Sequence, residues 1–410
     1  MEIQVNDPEQ FGFSASRLER INGLLQRYVD EKKLAGMVSL VARRGSVVHL
    51  EKFGVQDFES GKPVEFDTIF RFYSMSKPIT SVALMMLYEE ARFQLDDPIS
   101  HFMPEFKETK VWVGEGELAD MDREITIRDL LTHTAGLSYG GHAETGVPVD
   151  KLYDEAGFFS EDMDTGEMIR RLAGLPLAYQ PGKVWHYSVA TDVLGYLIQV
   201  IAGMPFDAFL QERIFGPLGM VDTDFYVPEE KLDRFAEVYR PSEDGLVPVE
   251  LLIAGDYTKP PGVLLGGSGM VSTASDYVRF CQMLLNGGEL DGSFPYKGKR
   301  SGVRLLGRKA VELMTVNHLP DGLLPIGMGP YEIRGYGFGL GFSVLMDVAR
   351  SGMLGSEGVY RWGGWASTTF FIDPREELIA MMLPQFIPWG GVEYTVGSEF
   401  QTLVYQALVD

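Results

Sequence analysis

The strand-forming segments of this 410-residue chain lie near its two ends, and this distribution limits the folds that it can adopt. Runs rich in β-branched and aromatic residues predict two strands early in the chain and three β-rich runs in its last quarter. The predicted strands are Gly36–Arg43, Val47–Lys52, Phe338–Met346, Gly358–Asp373 and Leu378–Leu383. Because each strand needs hydrogen-bonded neighbours, we expect the two ends of the chain to join one antiparallel sheet.

Helical patterns flank these strands and fill the middle of the chain. The predicted terminal helices are Ser14–Glu31 and Thr395–Leu408, and those of the middle are Ile127–His133, Glu161–Ala173 and Val189–Ala202. We therefore predict an α+β fold whose antiparallel, five-stranded-type sheet has the terminal helices on one face and the helical middle beyond the other. The expected domains are a sheet domain of residues 1–75 and 220–410 and a mostly helical domain of residues 76–219, with the active site between them.

Composition and charge restrict the class of protein. A hydrophobic content of 45% and an aromatic content of 12% are typical of a globular chain. The formal net charge of −22 argues against nucleic acid or an anionic membrane surface as a partner. The first residues show no basic segment followed by an apolar one, and no apolar stretch approaches the roughly 18 residues of a membrane span. We therefore expect a cytoplasmic protein.

Ser74 and Lys77 form an S-x-x-K pattern where an extended segment gives way to the apolar helical run Ile79–Leu87. Three residues apart on a helix, the two side chains face the same way. A serine hydroxyl becomes a good nucleophile when a neighbouring group takes its proton, and a desolvated lysine can do so. The helix N-terminus also favours an oxyanion. The pattern indicates acyl transfer, although Ser74 could instead cap the helix.

Tyr187 is a second candidate, placed between the turn Pro181-Gly182 and a predicted helix, and preceded by Trp185 and His186. A tyrosine in that position can point into a cleft and carry protons when a lysine stabilises its phenolate. The alternative is a packed aromatic residue before a helix.

Trp362-Gly363-Gly364-Trp365 is the third candidate stretch, and it lies within a predicted strand. Consecutive glycines in a strand usually mark the close approach of a ligand or of another backbone segment. An edge-strand N–H placed opposite the helix N-terminus would complete an oxyanion hole. The alternative is a β-bulge with packed tryptophans.

Two further patterns carry less weight. Gly136–Gly140 matches G-x-S-x-G around Ser138, but it follows a helix and leads into a loop, whereas a nucleophile elbow joins a strand to a helix. The histidines are scattered, and the single cysteine, Cys281, lies in an apolar helical run. We therefore expect no metal site, no disulfide and no other cofactor.

The stretches around Ser74, Tyr187 and Trp362 resemble, in type and order, those of the family VIII carboxylesterases, which are related to class C β-lactamases and DD-peptidases. Leu130–Leu137 and Gly266–Thr273 look like structural signatures of the same superfamily. The resemblance spans roughly residues 10–405 and implies a β-lactamase-like form of the α+β fold.

This resemblance implies a role for each candidate. Ser74 would be the nucleophile and Lys77 its neighbouring base, while Tyr187 would assist activation and protonate the leaving alcohol. The backbone N–H groups of Ser74 and Trp365 would form the oxyanion hole. Whether Lys77 or Tyr187 is the operative base stays open, because the two can titrate as a coupled pair.

The aromatic residues and glycines of these stretches suggest an apolar substrate pocket. The residues expected to bind substrate are Tyr73, Trp185, Trp362, Gly363 and Gly364.

Two departures from the lactamase pattern bear on substrate choice. Val189 stands where a Tyr-x-Asn motif has asparagine, and Trp362-Gly363-Gly364 replaces Lys-Thr-Gly. The first change removes an amide that contacts a β-lactam side chain, and the second removes the cation that would hold its carboxylate.

We therefore predict a serine esterase that hydrolyses small carboxylic esters, short-chain or aromatic, through an acyl-enzyme on Ser74. The rival predictions are a β-lactamase or D-amino-acid peptidase on the same scaffold, and a non-catalytic binding protein. Weak β-lactamase activity is compatible with the first prediction.

Overall fold

The computed structural model describes residues 3–114, 116–143, 146–158, 163–243, 245–249, 255–291, 294–295, 302–328, 331–388 and 395–410. Its α-helices are α1 (Ala15–Leu18), α2 (Arg20–Asp30), α3 (Ser76–Glu89), α4 (Ile127–Leu131), α5 (Asp150–Ala156), α6 (Thr165–Ala173), α7 (Ala190–Ala202), α8 (Phe206–Leu210), α9 (Gly216–Leu218), α10 (Ala274–Leu285), α11 (Arg308–Met314), α12 (Val348–Ser351) and α13 (Val396–Gln406). A π-helical turn, Gln211–Phe215, joins α8 to α9.

Its strands are β1 (Gly36–Arg43), β2 (Ser46–Gly54), β3 (Phe70–Arg71), β4 (Lys110–Gly114), β5 (Glu117–Asp120), β6 (Tyr239–Ser242), β7 (Gly245–Pro248), β8 (Val271–Ser272), β9 (Glu289–Leu290), β10 (Val303–Arg304), β11 (Ile326–Met328), β12 (Tyr331–Ile333), β13 (Tyr336–Phe338), β14 (Ser343–Leu345), β15 (Tyr360–Gly363), β16 (Thr369–Asp373) and β17 (Leu378–Pro384).

One antiparallel sheet joins the two ends of the chain, as the sequence predicts. Its order is β13-β14-β15-β16-β17-β1-β2, so that β1 lies between β17 and β2. Val41 is paired with Ala380 of β17 on one side and with His49 of β2 on the other. Every residue of β1 is buried, and this explains why its apolar residues, such as Leu40 and Val41, occupy both faces of the strand.

The sheet has seven strands, and the expectation of five was wrong because two predicted runs each contain a turn. The run Phe338–Met346 covers the end of β13 and all of β14, which a glycine-rich turn separates; there Gly341 has φ +93°, which side chains rarely adopt. The run Gly358–Asp373 covers β15 and β16, whose connecting turn is closed by the bond from Gly364 N–H to the Thr368 carbonyl at 2.7 Å.

Helices cover both faces of the sheet, as neighbouring residues of β16 show. Phe371 stacks on Tyr405 of α13 with ring centroids 5.5 Å apart, whereas Phe370 packs against Tyr277 of α10 at 5.1 Å. Successive side chains of a strand point to opposite faces, so α13 and α10 lie on opposite sides. Tyr28 of α2 donates to Glu399 of α13 at 2.6 Å, so the terminal helices share one face, as predicted. The helix α10, which lies outside residues 76–219, covers part of the other face.

Most of the buried apolar side chains belong to one continuous cluster that includes strands of the sheet and helices of the middle segment. A smaller cluster, which we call the lateral cluster, consists of Ile69, Tyr73, Val227, Val238, Val249, Tyr257, Val271, Ala366 and Ile387. The division into two domains stays a prediction.

Within the described residues, no single helix is long and apolar enough to cross a membrane. Ala190–Ala202 and Phe206–Leu218, which are bent by 81° relative to each other, meet the length and composition criteria only as a pair.

Candidate active site

The turn that carries Ser74 is held between a short strand pair and a helix. Strand β3 pairs with β8, and Phe72 N–H donates to the Met270 carbonyl at 3.0 Å. A 3₁₀ turn, Tyr73–Met75, follows, and α3 begins directly after it. Tyr73 has φ +44°, a left-handed conformation that is costly for a residue with a side chain. Ser74 therefore lies in a constrained turn at the N-terminus of α3, as expected.

Ser74, Lys77 and Tyr187 meet in one hydrogen-bonded group. The Ser74 Oγ accepts hydrogen bonds from the Tyr187 hydroxyl at 2.7 Å and from Lys77 Nζ at 3.2 Å. Lys77 is 1% exposed, and its Nζ lies 4.6 Å from the centroid of the Tyr187 ring. The hydroxyl thus has two neighbouring groups that can exchange a proton with it.

Lys77 has two further partners that the sequence reasoning missed. Its Nζ donates to the Tyr139 hydroxyl at 2.8 Å and to the Gly267 carbonyl at 2.9 Å. The Gly267 N–H donates to Asp192 Oδ1 at 2.8 Å, and the Tyr139 hydroxyl lies 3.4 Å from Asp192 Oδ2. Burial raises the pKa of Asp192, while Lys77 and the Gly267 N–H oppose that rise. Burial also raises the pKa of Tyr139 well above its usual range.

The segment Gly266–Met270 packs against α3, which explains the glycines of this signature. A Cβ on Gly267 would lie 2.8 Å from Asp192 Oδ2 and 2.9 Å from the Tyr139 hydroxyl, and one on Gly266 would lie 2.7 Å from the Thr191 carbonyl. The Met270 N–H also donates to the Ser76 hydroxyl at 3.1 Å. Glycine lets this backbone approach Lys77 closely enough to accept its hydrogen bond.

The other signature, Leu130–Leu137, supports Tyr187 from behind. His133 is buried with φ +55°, and its carbonyl accepts a hydrogen bond from the His186 N–H at 2.8 Å. Its ring lies 4.9 Å from that of Tyr187. Burial, and then the nearby Lys77, lower the pKa of His133 well below 6.5, so the imidazole is neutral at pH 7. His133 therefore packs against Tyr187, next to Ser74 and Lys77.

Trp365 lies in the turn between β15 and β16, and β15 is an interior strand of the sheet. The expectation that an edge strand supplies this N–H was therefore wrong. The glycines do mark a close approach of another backbone, as predicted, because a Cβ on Gly364 would lie 2.3 Å from the Phe72 carbonyl. This contact holds the Trp365 turn against the turn that carries Ser74.

A cavity of about 650 Å³ opens at Ser74 and Tyr187. Trp362, Gly363, Gly364 and Trp365 line it, and the role of the first three in binding substrate stays a prediction. Its other apolar lining residues, which the sequence reasoning missed, include Met328, Ile333, Tyr336, Met353 and Pro388.

Tyr73 and Trp185 are not among the described lining residues of this cavity, and this corrects the prediction that they contact substrate. Tyr73 is 1% exposed and belongs to the lateral cluster, with its ring 5.6 Å from that of Trp365. Trp185 is buried and stacks on Tyr187 with ring centroids 6.2 Å apart. Both rings pack against residues of the cavity wall, Tyr73 against Trp365 and Trp185 against Tyr187. The sequence did not reveal this, because aromatic residues before a helix can pack inward as readily as outward.

The competing patterns have structural explanations. Ser138 is buried, its hydroxyl donates to Asp150, and it accepts a hydrogen bond from the Gly140 N–H at 3.0 Å. Cys281 is buried in α10. Among the described residues, no group of three or more His, Cys, Asp and Glu side chains is placed to hold a metal ion.

Comparisons with known proteins match nearly the whole chain. A family model described as "Beta-lactamase" matches residues 21–389. An uncharacterized protein of Mycobacterium tuberculosis is 35% identical, over 89% of this chain and 89% of its own. Esterase EstB of Burkholderia gladioli is 31% identical, over 92% of this chain and 93% of its own. The solved structure of EstCE1, described as a hydrolase with promiscuous acyltransferase activity, is 27% identical, with a TM-score of 0.79 over 95% of this chain and 99% of that one.

Proposed function

Starting from the fact that this chain belongs to the beta-lactamase family and is a serine hydrolase of that fold, we propose that it is a carboxylesterase acting through an acyl-enzyme on Ser74. The observation that supports this most directly is the Ser74 hydroxyl, which accepts hydrogen bonds from Lys77 and Tyr187 at the mouth of a mainly apolar cavity. The similarity to esterase EstB and to EstCE1 supports ester hydrolysis in particular.

In the proposed reaction the Ser74 Oγ attacks the ester carbonyl carbon while its proton passes to the coupled Lys77 and Tyr187 pair. The oxyanion of the tetrahedral intermediate accepts hydrogen bonds from the backbone N–H groups of Ser74 and Trp365. The C–O bond to the alcohol then breaks, and Tyr187 delivers the proton to the leaving oxygen. Water attacks the acyl-enzyme in the same way, which releases the acid and restores the Ser74 hydroxyl.

The cavity wall supports neutral esters with short-chain or aromatic groups. Trp362, Tyr336 and Ile333 provide an apolar surface next to Ser74. Trp362 also occupies the position at which a Lys-Thr-Gly motif would place a cation for a β-lactam carboxylate. We therefore propose that β-lactams are poor substrates relative to esters.

β-Lactam hydrolysis is the second candidate function, and the match to the beta-lactamase family model favours it. It uses the same nucleophile and differs in the recognition of the acyl group. A comparison of substrates therefore distinguishes the two candidate functions, whereas variants of Ser74 do not.

The test compares wild type, Ser74→Ala and Ser138→Ala on p-nitrophenyl butyrate and on the cephalosporin nitrocefin. We expect rapid release of p-nitrophenol by wild type and by Ser138→Ala, loss of at least about 10³-fold in Ser74→Ala, and weak nitrocefin turnover. Ser138→Ala is the matched control because Ser138 lies in the competing G-x-S-x-G pattern.

The possible results lead to distinct conclusions. Nitrocefin turnover that exceeds ester turnover would establish the second candidate. Ester hydrolysis that survives in Ser74→Ala but is lost in Ser138→Ala would show that the wrong serine was identified. No turnover or acylation by either substrate would favour a non-catalytic binding protein.

A further inference from the structure

Lys77 is a buried side chain whose charge has no direct acidic partner among the described residues. Its Nζ contacts a serine hydroxyl, a tyrosine hydroxyl and a backbone carbonyl, all of which are neutral. Burying a cation in this way is costly unless an anion lies close by. The nearest carboxylate behind these contacts belongs to Asp192, which is 1% exposed in α7.

Two bridges connect Lys77 to Asp192, and both are oriented in the same sense. In the first, Lys77 donates to the Tyr139 hydroxyl oxygen, and that hydroxyl donates to Asp192 Oδ2. In the second, Lys77 donates to the Gly267 carbonyl, and the Gly267 N–H donates to Asp192 Oδ1. Each bridge presents an oxygen, its negative end, to Lys77 and a hydrogen, its positive end, to Asp192. At Gly267 the oxygen and the hydrogen belong to two adjacent peptide groups, and both bridges still act in the same sense.

We propose that Asp192 is a positioning residue for the reaction, an ionised carboxylate that acts through Tyr139 and Gly267 to orient Lys77 toward Ser74 and to set its protonation. The proposal rests on the proposed acyl transfer at Ser74. It assigns to Tyr139 and Asp192 together the task of ordering the lysine.

The surroundings of Asp192 support the ionised form in spite of its burial. Three donors oppose the rise of its pKa, namely the N–H groups of Gly267 and of Asp192 itself and the Tyr139 hydroxyl, together with the charge of Lys77. Tyr257, whose hydroxyl donates to the Ser268 carbonyl at 2.8 Å, is a further titratable neighbour.

Two more titratable groups are neighbours of this set: His133 lies near Lys77, and Tyr187 lies near Lys77 and Tyr139. His133 is neutral at pH 7, and so is Tyr139, whose pKa is raised by burial. Asp192 therefore supplies the negative charge that balances a protonated Lys77 within this group.

The proposal predicts a shift in the pH profile that does not depend on which residue is the base. Removing a negative charge disfavours a protonated lysine and favours a phenolate, so either base loses its proton at lower pH. A unit charge separated from the base by one bridging group, at an effective dielectric constant of about 20, corresponds to roughly one to two pH units. The acid limb of kcat/KM reports this ionisation in the free enzyme.

The experiment measures kcat/KM for p-nitrophenyl butyrate from pH 5 to pH 10 in wild type and in Asp192→Asn, which keeps the side-chain volume. We expect the acid limb of Asp192→Asn to move to lower pH by about one to two units. We also expect kcat at its plateau to fall by about 10-fold to 100-fold, because the orientation of Lys77 is lost. Asparagine would turn an N–H toward Tyr139 and compete with the lysine.

Asp276→Asn is the matched control. Asp276 is also a buried aspartate on a helix, and its carboxylate accepts hydrogen bonds from the Asp222 N–H at 2.7 Å and the Thr223 hydroxyl at 2.9 Å. It is not among the described residues that line the cavity. Its replacement is expected to lower the melting temperature and to leave the acid limb unchanged.

An acid limb in Asp192→Asn that coincides with that of wild type would overturn the proposal, whatever the loss of activity. If Asp192→Asn does not fold, Tyr139→Phe provides the test, because it removes one bridge and keeps the ring. A shift of its acid limb to lower pH supports the proposal, and an unmoved limb overturns it.

A failure of the proposed function itself is recognised separately. The rate at which a fluorophosphonate labels Ser74 can be followed against pH without any ester turnover. If esters are not hydrolysed but labelling of wild type and Asp192→Asn differs in its acid limb, the ester substrate is wrong and the role of Asp192 stands.

Discussion

At the scale of single residues, the site depends on places where a Cβ would not fit. A Cβ on Gly364 would collide with the Phe72 carbonyl, and a Cβ on Gly267 would collide with the side chains of Asp192 and Tyr139. These contacts fix the distance between the turn that carries Ser74 and the groups around it. Because interiors are close-packed, a single methyl group must displace backbone at Gly364 and side chains at Gly267.

Gly364→Ala is expected to lower kcat/KM for esters by about 100-fold, because the added methyl group pushes the Trp365 turn away from the Ser74 turn and so widens the oxyanion hole. We expect a loss of unfolding free energy of only about 1–3 kcal/mol. Steady-state kinetics and urea unfolding measure the two effects.

Gly23→Ala is the control for that prediction. Gly23 lies in α2 with open space around its Cα, so alanine there should be neutral or stabilise by up to about 1 kcal/mol. Unchanged kinetics in Gly364→Ala would mean that the Trp365 N–H does not stabilise the transition state.

At the scale of elements, the pairing of β1 with β2 buries a histidine. His49 is 6% exposed, and its Nε2 lies 2.8 Å from the Ser39 hydroxyl. Burial lowers the pKa of His49 to about 4, whereas an unfolded histidine has a pKa near 6.5. The unfolded chain therefore binds the extra proton between these values, and the stability that the neutral imidazole provides is lost as pH falls from about 6.5 to about 4.

We predict that wild type loses roughly 2 kcal/mol more unfolding free energy between pH 7 and pH 5 than His49→Asn does. Urea unfolding at the two pH values measures this difference, and all other titrating groups are common to both proteins. Equal losses in the two proteins would show that His49 does not titrate abnormally.

The β11–β12 pair forms a wall of the cavity and should limit the size of the acyl group. Met328 of β11 is 38% exposed and lines the cavity. Met328→Trp is expected to lower the ratio of kcat/KM for p-nitrophenyl decanoate over butyrate by about 10-fold, because overpacking penalises only the larger ester.

Val316→Trp is the control for the cavity wall, since Val316 is 50% exposed and is not among the described lining residues. It should leave the decanoate-to-butyrate ratio unchanged. A ratio that Met328→Trp does not alter would place the acyl group elsewhere in the cavity.

At the scale of the whole molecule, Arg43 connects segments from both ends of the chain. It is 3% exposed, and its guanidinium donates to the Phe11 and Glu376 carbonyls at 2.9 Å and to the carboxylates of Glu376 and Asp410. These bonds join the N-terminal segment, β1, the β16–β17 turn and the C-terminal residue.

Arg43→Ala is expected to reduce the unfolding free energy by about 3 kcal/mol, because several partly buried hydrogen bonds are lost together. The kcat of the folded enzyme should not change, since Arg43 is not among the described residues that line the cavity. Arg44→Ala removes an exposed partner of the same Asp410 and should cost less than about 1 kcal/mol. Equal losses in the two variants would show that burial does not strengthen this connection.

Much of the candidate site could be read from local patterns. The three-residue spacing of Ser74 and Lys77 at a helix start is a local property, and the structure places both side chains in contact. The apolar periodicity of the terminal helices and the strand-like runs likewise predicted the layers and the shared sheet. Tyr187 and Trp365 were candidates from their local context, and the resemblance added their catalytic roles, which stay predictions.

The residues missed by the sequence reasoning are those whose partners are remote in the chain. Tyr139 is 62 positions from Lys77, and Asp192 is 75 positions from Gly267. The signal available for Asp192 was a single carboxylate in an otherwise apolar helical run, which is unusual unless it is paired. Tyr139 belongs to the G-x-S-x-G pattern, which was considered only for Ser138 and was given little weight.

The sequence by itself determined the fold class, the connection of the two ends in one sheet and the placement of Ser74 beside Lys77, because hydrophobic periodicity and helix geometry act over a few residues. Only the tertiary structure decided that Tyr73 and Trp185 pack behind the cavity and that two of the predicted strand runs divide into four strands. It also decided that Asp192 is connected to Lys77 through Tyr139 and Gly267. Those outcomes depend on which distant surfaces meet, and burial and close packing settle that only when the whole chain is folded.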